Sequence, residues 1–133
     1  RRMRRKGSKG QEIADVGQSV SAEELEAILL TEQGKFGAEG IRKNFAGWNK
    51  TMQYVFPDLE QAWVIRFVDG QAQKPERLDA PLPKPEIGYE MNSWVLKAMS
   101  AGELSGEKAY LKRLLRLKAS FRDMMKLQSL NKV

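Results

Sequence analysis

Two neighbouring segments in the middle of the chain alternate apolar and polar residues with a period of two. Their apolar positions are Met52, Tyr54, Phe56, Trp63, Ile65 and Phe67. Such alternation is typical of β-strands with one buried face. Asp69–Gly70 follows the second segment and favours a two-residue hairpin turn, so a third, more polar strand is expected near residues 72–77. The centre of the chain therefore predicts three consecutive strands.

A helical pattern precedes these strands. Ser21 and Glu24 have the spacing of a capping box, which predicts the start of a helix. The apolar stripe of this helix is Leu25, Ile28 and Leu29. We expect it to end before Gly34, and a short helical turn is expected over residues 41–45.

Elements of both kinds follow the strands. Three prolines in residues 79–85 predict a stiff, exposed loop. The fourth strand is expected to carry Ile87, Tyr89 and Met91. Asn92 is expected to cap a helix that stops at Gly102. The apolar residues of that helix are Trp94, Val95, Ala98 and Met99. The local pattern of residues 107–118 favours a helix over a strand.

The last expected helix is rich in methionine. Ser120 and Asp123 open it with the spacing of a capping box. Its apolar residues are Phe121, Met124, Met125, Leu127 and Leu130. One interpretation is an ordinary amphipathic helix that closes the core. The other is a lid over a cavity for ligands of varying shape, because methionine adapts to irregular apolar spaces.

The net charge of +6 resides in the first ten residues. The six basic residues there are Arg1, Arg2, Arg4, Arg5, Lys6 and Lys9, and the rest of the chain carries 17 basic and 17 acidic side chains. We expect residues 1–18 to form a basic, disordered arm and residues 19–133 to form one neutral domain. The arm is either an electrostatic tether or a tail without function. No apolar run approaches the length of a membrane span, and a cytoplasmic location is the default expectation.

The chain contains no histidine and no cysteine. These residues supply the commonest general base, the thiolate nucleophile and most ligands for zinc, haem and iron–sulfur groups. The carboxylates lack calcium-loop spacing, and no phosphate-binding glycine loop follows a strand. We therefore expect no enzyme, no metal and no cofactor. Trp48, Tyr54 and Trp63 would suit stacking on nucleic acid, but we expect them on apolar faces of a neutral domain, which argues against nucleic acid as a partner.

Four short segments, in their order and spacing, resemble sterol carrier protein type 2 domains. They are Ile41-Arg42-Lys43 with Gly47, Trp63-Val64-Ile65 with Asp69-Gly70, Met99 with Gly102-Glu103-Leu104-Ser105 and Ala109-Tyr110, and Met125-Lys126-Leu127-Gln128-Ser129-Leu130. The resemblance covers about residues 20–130. It implies an α+β fold with a five-stranded mixed sheet, helices packed on one face, and a hydrophobic tunnel that the C-terminal helix helps to close. In the family this tunnel takes fatty acids, fatty acyl-CoA, sterols or other lipids.

The resemblance changes the interpretation of residues 111–118, which correspond to the fifth strand of the family. The residues then expected to face inward are Leu111, Arg113, Leu115 and Leu117. Arg113 stands where the family usually has glycine, and Ala119 replaces a glycine before the last helix. An inward guanidinium requires an anionic partner. That partner is either the carboxylate of an acyl ligand, which puts sterols in doubt, or a carboxylate of the core.

The predicted function is non-enzymatic binding or transfer of a fatty acid, acyl-CoA, sterol or isoprenoid. The expected ligand-binding residues are Met52, Tyr54, Trp63, Ile65, Phe67, Trp94, Met99, Arg113, Leu115, Phe121, Met124 and Met125. The alternative is an accessory or oligomerisation module whose cavity is filled by the same aromatic residues. Residues 1–9, from Arg1 to Lys9, are the expected site of transient contact with anionic membranes, and the sequence leaves the oligomeric state open.

Overall fold

The computed structural model describes residues 17–37, 43 and 45–128. Almost all of the basic arm expected over residues 1–18 lies outside the described residues, and so does most of the turn expected over residues 41–45. Leu130 of the last helix lies outside them as well.

The described chain is an α+β domain built on a mixed sheet. In chain order its elements are α1 (Ala22–Phe36), β1 (Lys50–Phe56), β2 (Gln61–Val68), β3 (Gln71–Ala72), β4 (Glu76–Leu78), β5 (Ile87–Met91), α2 (Ser93–Ser100), α3 (Gly106–Leu111), β6 (Leu115–Lys118) and α4 (Phe121–Gln128). The strand order is β3-β2-β1-β5-β6, with β4 also paired to β2. β1 and β5 are parallel, and the other pairs are antiparallel. None of the described helices is long and apolar enough to cross a membrane.

The predicted hairpin at Asp69–Gly70 is confirmed. Both residues have positive φ, 51° and 77°, as a type I′ turn requires. A Cβ atom at Gly70 would collide with the carbonyl group of Phe45, so glycine is needed there for space as well. The third strand expected over residues 72–77 is interrupted, because Pro75 has no N–H to donate. Its two parts, β3 and β4, pair with opposite ends of β2.

Residues 107–118 contain both a helix and a strand. α3 begins after Ser105, whose hydroxyl accepts a hydrogen bond from the N–H of Lys108 at 3.1 Å. The expectation that Leu111 and Arg113 face inward is wrong. Leu111 is the last residue of α3 and is 71% exposed. Arg113 is exposed in the turn before β6, where its φ of 62° is the left-handed conformation that favours glycine.

The core lies on one face of the sheet. Its strand residues are Met52, Tyr54, Phe56, Trp63, Ile65, Phe67, Ile87, Met91 and Leu115, and α1 and α2 contribute Leu25, Leu29, Phe36, Val95 and Leu96. The rings of Phe36 and Phe67 lie 5.3 Å apart, which joins α1 to the sheet. The rings of Tyr54 and Tyr89 stack at 5.1 Å across the parallel pair of strands. The alternation seen in the sequence therefore marks the face that the helices cover.

The start of α2 is capped by a residue distant in sequence. Asn92 is the N-cap residue, as predicted, but its side chain makes no capping hydrogen bond. Asp58, in the turn between β1 and β2, accepts hydrogen bonds from the N–H of Ser93 at 3.0 Å and from its hydroxyl at 2.6 Å. The same carboxylate accepts a bond from the hydroxyl of Ser19 at 2.7 Å. The hydroxyl of Ser93 accepts a hydrogen bond from the N–H of Val20 at 3.0 Å. The Asp58 carboxylate therefore links the turn between β1 and β2, the start of α2 and the segment before α1.

We expect Asp58→Ala to lower the free energy of unfolding by about 1–3 kcal/mol, because it leaves polar groups of buried Ser93 without their partner. Urea unfolding followed by circular dichroism measures this change. Asp79→Ala is the matched control, since Asp79 is exposed in the loop before β5. A loss at residue 79 as large as that at residue 58 would contradict the assigned role.

Two tyrosines of the sheet resist ionisation. Burial raises the pKa of Tyr54 well above its usual value, and the charges of Tyr89 and Glu32 raise it further. Burial and the charge of Glu32 also raise the pKa of Tyr89. Tyr54 is 4% exposed whereas Tyr89 is half-buried, so Tyr54 is the better shielded from solvent of the two.

The stability of the domain should fall as the pH rises above about 10, the pKa of an unperturbed tyrosine. The unfolded chain loses its tyrosine protons first, so the contribution of Tyr54 is fully present below that pH and is lost above it. In Tyr54→Phe the fall should be shallower by up to about 1.4 kcal/mol per pH unit. Urea unfolding between pH 8 and 11 measures the slopes. Equal slopes for the unaltered protein and Tyr54→Phe would contradict this expectation.

Candidate functional site

An open groove of about 420 Å³ lies beside β6, where α2, α3 and α4 meet the edge of the sheet. The residues that line it are Tyr89, Met99, Gly106, Glu107, Tyr110, Leu111, Leu115, Leu117, Met124 and Leu127. Its volume lies within the range of small-molecule sites, and its lining is mostly apolar with a few polar groups. This combination suits a ligand with a large apolar part.

The floor of the groove is formed by the last two strands. Tyr89 of β5 pairs with Leu117 of β6, and Met91 pairs with Leu115. Because side chains alternate along a strand, Leu115 and Leu117 point to the same face. The intervening Arg116 lies on the opposite face, where it pairs with Glu90 at 3.7 Å.

The wall of the groove is formed by short helices whose starts are fixed by serine caps. The hydroxyl of Ser120 accepts a hydrogen bond from the N–H of Asp123 at 3.1 Å, which confirms the predicted cap of α4. The side chain of Asp123 is buried and pairs with the ammonium group of Lys50 at 3.3 Å. Lys126 lies over the ring of Phe45 at 5.0 Å. The contacts of Asp123 and Lys126 fix one side of α4. Met124, on another side of the helix, lines the groove.

The groove carries little charge of its own. Among its ten lining residues, Glu107 is the one charged side chain, and none is basic. The hydroxyl groups of Tyr89 and Tyr110 are further polar groups of lining residues. A carboxylate ligand placed next to Glu107 would be repelled. The electrostatics of the groove therefore favour an uncharged ligand, or one whose charged group stays in solvent.

Eleven of the twelve predicted ligand-binding residues fall into three groups in the structure. Met99, Leu115 and Met124 line the groove. The residues that pack in the core, each at most 7% exposed, are Met52, Tyr54, Trp63, Ile65 and Phe67. Phe121 and Met125 are exposed on α4, by 79% and 52%, and Arg113 is exposed in the turn before β6.

Trp94 belongs to none of these groups. It is half-buried against the core, and Gly17 lies so close to its ring that a Cβ atom there would collide with it. The indole N–H of Trp94 is buried without a hydrogen-bond partner. The segment before α1 therefore covers this side chain.

Several lining residues were not among the predicted ligand-binding residues. They are Tyr89, Gly106, Glu107, Tyr110, Leu111, Leu117 and Leu127. Tyr89 was placed in a strand by its alternation with Ile87 and Met91, and Leu117 was placed in one by the resemblance to the family. Neither signal indicated an open space beside these residues. Leu111 was expected to face inward from a strand, but it ends α3 and lines the groove from that helix, as Tyr110 does.

A second depression, of about 430 Å³, lies on the other face of the sheet. It is lined by Gln53, Val55, Gly88, Arg116 and Lys118 together with residues of β5 and β6, and Pro85 of the proline-rich loop borders it. A Cβ atom at Gly88 would lie 3.0 Å from the ring of Pro85, so the loop passes close over this strand. Three of its lining side chains are charged, namely Glu90, Arg116 and Lys118, against Glu107 alone in the lining of the groove beside β6.

No family model matches the sequence, and neither does any curated protein. Solved structures do resemble it. A crystal structure of sterol carrier protein 2 has a TM-score of 0.59 at 18% identity, over 80% of this chain and 92% of that chain. Palmitated SCP2L2 from Aedes aegypti has a TM-score of 0.60 at 15% identity, over 86% of this chain and 96% of that chain.

A larger protein also contains a similar part. The sec-alkylsulfatase Pisa1 from Pseudomonas sp. has a TM-score of 0.54 at 19% identity over 68% of this chain. This chain spans 14% of the length of that enzyme. By contrast, the likeness to the sterol carrier proteins extends over nearly their whole length. The chain has the fold of sterol carrier protein 2 domains.

Proposed function

We propose that this chain binds a lipid-like ligand without chemical conversion, with the apolar part of the ligand in the groove beside β6. The carrying observation is the open volume of about 420 Å³ lined by Met99, Leu115 and Met124. Burial of a lipid tail contributes about 0.8 kcal/mol per methylene group. The proposal is supported by the likeness to sterol carrier protein 2 and to a palmitated relative.

The charges around the groove bear on the class of ligand. The sequence favoured an acyl carboxylate because Arg113 was expected to point inward, but Arg113 is exposed and does not line the groove. Glu107 does line it. We therefore propose a ligand with an uncharged head group, such as a sterol or an isoprenoid alcohol, as the preferred class. Fatty acids and acyl-CoA fit if their charged groups remain outside the groove.

The proposed route for ligand exchange is movement of α4. This helix has eight residues, and it contributes Met124 and Leu127 to the groove. It is anchored by the pair of Asp123 and Lys50, with the carboxylate side chain 5% exposed. Movement of α4 away from the sheet would widen the groove without disturbing the pairing of β5 with β6. The hydrophobic tunnel expected from the family is proposed here as an extension of the same space.

A second candidate function is the accessory or oligomerisation module. The supporting observation is the tight burial of residues expected to form a tunnel wall. Ile65 and Met52 are 0% and 1% exposed, and Phe67 packs against both Phe36 and Trp48 at ring distances of 5.3 and 5.0 Å. Because the core is filled in this way, ligand binding in the groove beside β6 is what distinguishes a lipid carrier from an accessory module.

The basic arm is proposed as a tether to anionic membranes. Residues 1–9 carry six basic side chains and no acidic one. Near an anionic bilayer each basic residue contributes about 1 kcal/mol. These nine residues lie outside the described part of the chain, and the proposed tether follows from their charge. The domain boundary near residue 18 is also a proposal, and Gly17 already lies against the ring of Trp94.

Met124→Trp should weaken uptake of a fluorescent sterol by tenfold or more, because the larger side chain fills the groove. Fluorescence titration of the purified protein measures this affinity. Met125→Trp is the matched control, since the adjacent Met125 is exposed and does not line the groove. Failure of the unaltered protein to take up either a sterol or a fatty acid would instead support the accessory module.

Glu107→Gln should strengthen binding of a fluorescent fatty acid severalfold and leave sterol binding nearly unchanged, because it removes the charge that faces a carboxylate. The ratio of the two affinities in parallel titrations is the readout. Glu103→Gln is the control, because Glu103 is exposed and lies outside the groove lining. An unchanged ratio would show that the head group does not approach Glu107.

A further inference from the structure

The C-terminal part of the domain carries a charge opposite to that of the rest. Residues 106–128 contain seven basic side chains and two acidic ones, a net charge of +5. Residues 17–105 contain nine basic and thirteen acidic side chains, a net charge of −4. The neutral domain expected from the whole sequence is thus two regions of opposite sign. The positive region is α3, β6 and α4, the elements around the groove.

The positive region also exposes large apolar side chains. Tyr110 and Leu111 of α3 are 51% and 71% exposed, and Phe121 and Met125 of α4 are 79% and 52% exposed. Phe121 and Met125 are four residues apart, so they lie on one face of α4. This face adjoins Met124, which lines the groove. The apolar face of α4 therefore extends beyond the side chains that contact the core or line the groove.

The exposed apolar residues border the mouth of the groove. Tyr110 and Leu111 line it from α3, while Phe121 and Met125 stand next to its α4 wall. The exposed basic residues around them are Lys112, Arg113 and Arg122. Within the described part of the chain, none of these three forms an ion pair. We call the four apolar and three basic residues together the docking face.

We propose that the docking face binds an anionic lipid bilayer, with the mouth of the groove towards the membrane. Apolar side chains among basic ones are the pattern of helices that lie in the interface of a membrane. The basic groups attract anionic head groups, while Phe121, Leu111 and Met125 enter the region between head groups and acyl chains. This surface belongs to the folded domain and is separate from the basic arm.

Two other partners fit the observations less well. A nucleic acid would match the positive charge but would leave the exposed apolar side chains without an apolar partner. A second copy of the chain would place one positive face against another, and like charges across an interface oppose association. An anionic bilayer satisfies both features of the face. The proposal goes beyond ligand binding and stands whether or not the groove holds a lipid.

Site-specific fluorescence on the whole 133-residue chain tests the proposal. The natural sequence has no cysteine, so Phe121→Cys and Met125→Cys each give a single position for an environment-sensitive NBD label. On phosphatidylcholine vesicles with about 30% phosphatidylglycerol, both labels should brighten severalfold and shift to the blue, whereas pure phosphatidylcholine should cause little change. Leu82→Cys is the matched control, because Leu82 is exposed in the proline-rich loop, and its label should not respond.

The possible results separate the docking face from the arm and from other partners. Sedimentation of the protein with anionic vesicles without a change at positions 121 and 125 would assign binding to the arm and overturn the proposal. An equal fluorescence change with single-stranded RNA would overturn it in favour of nucleic acid. A change that depends on protein concentration, without vesicles, would overturn it in favour of self-association.

An unlabelled variant gives an independent measure. Phe121→Ser combined with Met125→Ser should weaken partitioning into anionic vesicles about tenfold, because it removes two inserted apolar side chains. Leu82→Ser should have little effect. Both altered residues are exposed, and circular dichroism confirms that the fold is kept. Uptake of a fluorescent sterol in solution should remain, so failure of docking and failure of ligand binding are distinguishable. Unchanged partitioning of the double variant would contradict the proposal.

Discussion

The parallel pairing of β1 with β5 is the contact on which the rest of the domain depends. It joins the antiparallel strands before residue 79 to the helices and the strand that follow β5. At its centre Tyr54 lies beside Tyr89, with their rings stacked at 5.1 Å, and Met52 lies beside Ile87. β5 in turn positions β6, whose leucines form the floor of the groove. Without this non-local pair the groove would lose its floor.

Local signals were sufficient for the parts of the fold that depend on neighbouring residues. The bounds of β2 agree with the alternation and with the turn at Asp69–Gly70, and α1 begins at the predicted cap, although it continues past Gly34 to Phe36. Long-range features were not predictable in this way. The cap of α2 comes from Asp58, 35 residues before Ser93. β6 is a strand because it pairs with β5, against the helical preference of its leucine-rich and basic sequence.

The candidate site was predictable only in part, and for a physical reason. Periodicity identifies which residues are apolar on one face, but it does not distinguish a packed face from one that borders an open space. For example, Met52 and Ile65 pack in the core, whereas Leu115 borders the groove. The net charge of the domain was similarly uninformative about the site, because the opposite charges of its two regions nearly cancel. The inward position expected for Arg113 came from treating the whole of residues 111–118 as a strand.

Both free edges of the sheet have features that discourage the addition of a further strand from another chain. On one edge Pro75 separates β3 from β4, and the ion pair of Arg66 and Glu76, at 2.8 Å, places charges along the short strand. On the other edge β6 has four residues, two of which are Arg116 and Lys118. Short, charged and interrupted edges are how natural β-proteins limit aggregation. Strong β-formers such as Trp63 and Ile65 lie instead in β2, an interior strand, where both are paired with residues of β1.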